Sequence, residues 1–310
     1  MCNPPKARRM FELHPTFIVM SILTSLLCFG CAAQTQGKNC NPPSGWETIA
    51  EISKGKTLII GEVHGTNEIP DAFTSYVCAV AEREDRVLVG LEINEFYEDV
   101  LNLADKSNEP GKVLREQMNG PSSMNHWSLK DGRGSQAMLR NMIKLYDLDN
   151  VVIVPFLRPQ AVVIPENLTS QEDIEAWLNN ALQEESQTKH EESLASALIE
   201  KKESSHSMIV LVGNLHAAKA SFQGFASTKP MAMFLPQTTI TLNAEYDAGE
   251  SSNLSSDGTN SQKYSLNGNR KGTPNHVNNR MMGLSSKLNP HYDGYFYVGQ
   301  ITSSAPVIDE

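Results

Sequence analysis

The sequence predicts an α/β fold: a mainly parallel sheet with flanking helices, a helical insertion and a C-terminal edge strand. Three observations predict it. Four short apolar runs, "KTLIIGE", "DRVLVGLE", "NVVIVPFL" and "SMIVLVGN", are rich in Val, Ile and Leu, as strands buried on both faces are. Helical patterns lie between several of these runs, and strands alternating with helices close through right-handed crossovers into a parallel sheet. Two of the runs also end alike, in Gly, two residues and His: Gly61 with His64, and Gly213 with His216.

Before the first strand, Lys6, Arg8 and Arg9 precede an apolar run from Phe17 to Gly30, and small residues follow in "GCAAQ". A basic start, a short apolar run and a small-residue exit describe a secretory signal over residues 1–33, and the run is short for a membrane span. Two exits stay open. Cleavage after Ala33 would release a soluble exported protein, whereas cleavage before Cys31 would leave a lipid-bearing cysteine as a membrane anchor. The expected location is therefore the periplasm or cell envelope. Cys2, Cys28 and Cys31 belong to the export segment, leaving Cys40 and Cys78. An even pair in an oxidising compartment predicts one disulfide.

The formal charge of the chain is −10. Residues 1–31 carry Lys6, Arg8 and Arg9 against Glu12, so their loss takes it to −12. An acidic chain without a basic stripe excludes nucleic acid as the natural partner. The remainder, residues 34–310, reads as a single α/β domain of about 280 residues, long enough for one large core.

Each element has its own signature. "IPDAFTSYVCAVAERE" puts Phe73, Tyr76, Val77, Val80 and Ala81 on one stripe, and "GSQAMLRNMIKLYDL" does the same with Ala137, Met138, Met142, Ile143 and Leu145. Residues 169–205 read as a helical insertion with a charged, solvated face, capped at Thr169 or Ser170. Residues 243–279 are rich in Ser, Asn and Gly and nearly free of aliphatic side chains, which predicts a long mobile loop. "GYFYVGQI" then reads as a last strand at a sheet edge.

The chemistry concentrates at strand ends. In a parallel sheet the C-terminal ends of the strands share one edge, where ligands bind. "GEVHGTNE" delivers Glu62, His64 and Glu68 there, "VGNLH" delivers His216, and "LVGLE" delivers Glu92. An imidazole beside carboxylates gains basicity and a fixed tautomer, which suits a general base. In "LKDGRGSQAML", Arg133 is wedged between Gly132 and Gly134, where it could meet a carboxylate, a phosphate or a developing oxyanion, with Asp131 orienting it. His126 and Trp127 could line a pocket wall, but they read better as a loop histidine beside a packed Trp. His190, His206, His276 and His291 read as surface residues.

"GEVHGTNE", "GLE" and "GNLH" together resemble the superfamily that joins erythromycin esterases, ChaN-like haem-binding lipoproteins and the TIKI/TraB proteases. "DGRGSQAM" and "YDGYFYVGQI" resemble an uncharacterised exported branch of it. What the resemblance implies differs by branch. In the esterase-like case His64 would be the general base against an ester, lactone or amide, with Glu62 and Glu92 orienting it and His216 assisting. In the TIKI/TraB case His64, Glu92 and His216 would hold a divalent metal. In the ChaN-like case the pocket would bind haem without reaction, with Tyr76, His126 and Trp127 contributing.

Overall fold

The computed structural model describes residues 40–118, 125–158, 170, 184–223, 228–255, 260–274, 279–285 and 289–308. The signal expected over 1–33 lies outside them, as do Thr169, His276 and most of the first half of the insertion at 169–205.

All four apolar runs are strands: β1 (Thr57–Glu62), β2 (Val87–Asn94), β3 (Val151–Leu157) and β4 (Ser207–Gly213). They pair in parallel in the order β3-β2-β4-β1, and β5 (Ile240–Glu245) extends the sheet in parallel beyond β1. The absence of apolar/polar alternation in these runs has a direct cause, since both faces of the sheet are covered. On one face lie α1 (Trp46–Ser53), α2 (Glu68–Ala81), α3 (Glu98–Asp105), α4 (Pro110–Gln117) and α5 (Gln136–Tyr146). Ile49, Phe73, Val77, Leu101, Leu114 and Met142 from these helices pack with Leu58, Ile60, Val89 and Leu211 of the sheet. On the other face α6 (Glu184–Lys201) presents Leu194, Ala197 and Leu198 to Ile59, Leu88, Val210 and Val212. Each large apolar side chain contributes about 1.5–3 kcal/mol when fully buried, so this two-sided burial is what selects the parallel sheet.

Local signals set the helix starts. Ser135 is extended and its Oγ accepts the Met138 N–H at 3.3 Å, which caps α5 and contributes about 1 kcal/mol. Cys40 and Cys78 form the expected disulfide, pinning the segment before α1 to α2. The bond spans 38 residues, and closing a loop of that size in the unfolded chain stabilises the native state by about 3–4 kcal/mol. Reduction, or the Cys40→Ala/Cys78→Ala pair, should lower the free energy of denaturant unfolding by that amount. Unchanged midpoints with and without reductant would rule the staple out.

Two parts of the C-terminal third differ from expectation. Where the composition predicts a mobile loop over 243–279, Asn243 lies inside β5, and β6 (Ala248–Leu254) and β7 (Ser261–Asn267) form an antiparallel hairpin. Composition does not reveal it because the backbone partners are remote. The Glu250 N–H donates to the Ile301 carbonyl, and the Ser252 N–H donates to the Gly65 carbonyl. Buried Glu245 holds the following segment by accepting the N–H groups of Gly272 and Thr273, each at 2.8 Å. The last strand, β9 (Gly294–Tyr297), is also not the edge. It runs parallel to β5, and β8 (Met281–Leu284) pairs antiparallel outside it.

Candidate active site

The C-terminal ends of β1, β2 and β4 lie side by side, because β4 is hydrogen-bonded to both β1 and β2. Adjacency in the sheet therefore brings Glu62, Glu92 and Gly213 together and carries the turns bearing His64 and His216 with them. Gly61 is inside β1 rather than at its end. A side chain there would lie 2.9 Å from both Asn214 Cα and Ala217 Cβ, so the glycine admits the turn after β4 instead of terminating β1. Gly213 has a comparable reason. A methyl group on it would stand 3.0 Å from His64 Nε2 and 3.3 Å from His216 Cδ2, so the two imidazoles flank one backbone position.

Glu92 is the hub. Its Oε2 accepts the Gly213 N–H at 3.1 Å and lies 3.5 Å from His64 Nε2. Its Oε1 accepts from Arg133 Nη1 at 3.0 Å and lies 4.0 Å from His216 Nε2. Burial would raise this carboxyl, but His64, His216 and Arg133 outweigh it and hold it well below the usual carboxylate range. His64 Nδ1 donates to Glu62 Oε1 at 3.1 Å, and Glu62 is only 2% exposed. Burial alone would push the His64 imidazole down; Glu62 and Glu92 together push it up to about 10.

Arg133 faces this cluster as expected, and Asp131 orients it. Asp131 Oδ2 accepts from Nε at 2.9 Å and from Nη2 at 2.5 Å, while Oδ1 accepts the Arg133 N–H at 3.1 Å. The position of this loop depends on Gly132, whose φ is +89°. A side chain there would meet Gly65 N at 2.4 Å and the His64 carbonyl carbon at 2.7 Å. The loop bearing Arg133 thus rests backbone-to-backbone on the turn bearing His64.

Glu68 is elsewhere. Expected beside His64, it instead opens α2, and its carboxylate accepts the Thr302 N–H and the Thr302 hydroxyl, each at 2.7 Å. Those bonds fasten a C-terminal strap that also ties Ser304 N–H to the Gly65 carbonyl at 2.8 Å and Val307 N–H to the Gly134 carbonyl at 2.9 Å. One segment therefore braces both loops of the cluster, and no local pattern in residues 302–307 announces it. Tyr76 and Trp127 are fully buried core residues, the Trp127 indole donating to the Leu114 carbonyl at 2.8 Å. His126 is buried edge-on against Trp127 and Tyr97, where burial lowers it to about 4. These three do not form a haem wall.

Glu191 is hidden in the sequence among the charges of the insertion. It is 4% exposed, and its Oε2 accepts from His216 Nδ1 at 2.7 Å and from the Met231 N–H at 2.8 Å. Gln187 Nε2 donates to Oε1 at 2.9 Å. Burial opposes its ionisation, but His216 and the other donors hold it below the usual carboxylate range. A signal does exist: Glu191 stands on the apolar stripe of Leu194, Ala195 and Leu198, spaced three, four and seven residues on. A carboxylate on a buried stripe needs a partner. His190, read as a surface residue, lies with its ring 6.4 Å from that of His216.

The donor set does not fit a resident metal. Among the described residues no group of three His, Cys, Asp or Glu side chains is arranged to hold one. Glu92, the shared candidate ligand, is bound by the Arg133 guanidinium, whose fixed positive charge opposes a cation at the same carboxylate. His64 offers haem no free axial nitrogen, since both of its nitrogens face carboxylates, whereas His216 has a carboxylate within hydrogen-bond length at Nδ1 alone.

Fold and cluster together define an α/β protein with an ionisable site at the C-terminal edge of a parallel sheet. No family model matches the chain, and no curated protein matches it. Among solved structures, the erythromycin esterase EreC, a histidine mutant in its open conformation, shares the fold at 12% identity and TM-score 0.58, covering 86% of this chain and 95% of that one. A succinoglycan biosynthesis protein shares it at 11% identity and TM-score 0.55, over 84% and 91%. A haem-bound ChaN of Campylobacter jejuni matches at 13% identity and TM-score 0.42, over 72% and 91%.

Proposed function

We propose that the protein is an exported hydrolase acting on an ester or lactone, with an amide as the neighbouring substrate class. The observation that carries the reading is one buried carboxylate, Glu92, set among two imidazoles and a guanidinium at the C-terminal edge of the sheet. Two histidines there can take a proton from water and return one to a leaving oxygen, within direct or single-water reach. Arg133 and protonated His64 supply fixed positive charge toward an oxyanion. The Cys40–Cys78 disulfide fits the oxidising compartment that a signal over 1–33 implies, with lipid on Cys31 as the anchored variant of the same location.

The test is a panel of aryl esters, alkyl esters and lactones assayed with the mature protein, His64→Ala and His216→Ala. Each variant should lose about 10²–10⁴-fold in kcat/KM, the usual range for an acid–base group. Turnover unchanged in both variants would sink the assignment. Tight, stoichiometric haem binding without turnover of any panel member would favour the binding reading instead.

A further inference from the structure

The two histidines are equally exposed, at 17% for His64 and 19% for His216, so burial does not separate their roles. Their carboxylate partners do. His64 has a carboxylate close to each nitrogen: Nδ1 donates to Glu62 at 3.1 Å, and Nε2 makes an ion-pair contact with Glu92 at 3.5 Å. His216 is held at one: Nδ1 donates to Glu191 at 2.7 Å, while Nε2 stands 4.0 Å from Glu92, beyond hydrogen-bond length. A ring whose Nδ1–H is committed to a carboxylate is fixed in the tautomer that leaves the Nε2 lone pair free.

Resting on the hydrolytic reading above, we propose that His216, positioned by Glu191 from the insertion helix, takes the proton from the attacking water, and that His64 delivers a proton to the leaving oxygen. The water oxygen bonds to the carbonyl carbon as its proton passes to His216 Nε2. The tetrahedral oxyanion then collapses, the carbon–oxygen bond to the leaving group breaks, and that oxygen takes the proton from His64 Nε2. His216 then gives its proton to solvent and His64 takes one from it, both rings being partly exposed. Ester and water become acid and alcohol, and the site is reset. Glu191 is a positioning residue in this scheme, and His216 and His64 are the catalytic pair.

The charges around each ring set the pH dependence. His216 faces Glu191 and His190 from α6, Glu92 from β2 and His64 across Gly213. Burial would lower it, but Glu191 and Glu92 raise it above 6.5, so the base form and the rate grow as pH rises. His64 faces Glu62, Glu92, His216 and the more distant Asp131, and it loses its proton near 10, so the rate falls there. The experiment is the pH profile of kcat/KM for an unactivated alkyl ester, whose leaving oxygen needs a proton, in wild type, Glu191→Gln and Glu62→Gln, alongside NMR titration of the histidine rings. Removing the Glu191 charge should move the acidic limb about 1–3 units lower and leave the alkaline limb in place. Removing the Glu62 charge should lower the alkaline limb alone. The opposite pairing, with Glu62→Gln moving the acidic limb, would overturn the proposal. If wild type hydrolyses no ester, the hydrolytic reading fails, and ring titration still judges the division of roles. His216 must then lose its proton before His64 and carry it on Nδ1 when neutral; the reverse order overturns the proposal.

Discussion

Glu92→Gln should lose about 10²–10³-fold in kcat/KM and about 3 kcal/mol of stability, although it alters no shape. The carboxylate is the anion shared by His64, His216 and Arg133. Removing one partner of a buried ionic cluster leaves the others uncompensated, and that cost is about 3–5 kcal/mol in well-buried pairs. The lower figure applies here because His64 keeps Glu62 and Arg133 keeps Asp131. The stabilisation also has a pH window. Glu92 is depressed in the folded state, so its contribution is present above the unfolded carboxylate range and is lost as pH falls through the folded value. His64 is raised, so its contribution is complete below about 6.5 and is lost as pH rises through about 10. Chemical denaturation at about pH 7 and about pH 10.5 should therefore show the gap between wild type and variant narrowing at the alkaline end. A gap that stays constant would mean that the charges do not interact as placed.

Gly132→Ala should do comparable damage through the backbone. At φ +89° an alanine is strained by about 1–2 kcal/mol, and its Cβ would sit 2.4 Å from Gly65 N, where backbone has nowhere to go. Relief requires the loop to lift, which draws Arg133 from Glu92 while leaving every ionisable group in place. The expected result is a loss of about 3 kcal/mol or more in denaturant unfolding, with a fall in activity like that of Arg133→Met. Near-wild-type stability and turnover would show that the two loops do not bear on one another.

Much of this architecture is legible in the chain because it is written locally. A strand buried on both faces needs only consecutive apolar side chains, and a turn at its end needs only a few residues. β1 to β4, α2, α5 and the two Gly–x–x–His turns can accordingly be placed from the sequence alone. The disulfide follows from counting cysteines outside the export segment. The edge strand and the ordered hairpin cannot be read this way, since β8 pairs outside β9 and the β6–β7 hairpin is docked by backbone bonds to Gly65 and Ile301 from distant parts of the chain.

The candidate site divides along the same line. By itself the sequence determined that His64, His216 and Glu92 stand at the ends of parallel strands, and that Arg133 sits between glycines. Which carboxylate serves which imidazole was decided only by tertiary structure. Glu92 reaches Gly213 across 121 residues, Glu191 reaches His216 across 25, and Glu68 is drawn 234 residues away to Thr302. A buried carboxylate goes to the donors that compensate its desolvation, and where those donors lie is a property of the folded chain rather than of neighbours in sequence. That is why Glu68, only four residues from His64, braces the strap, while Glu191, lost among the charges of a helix, holds the second histidine.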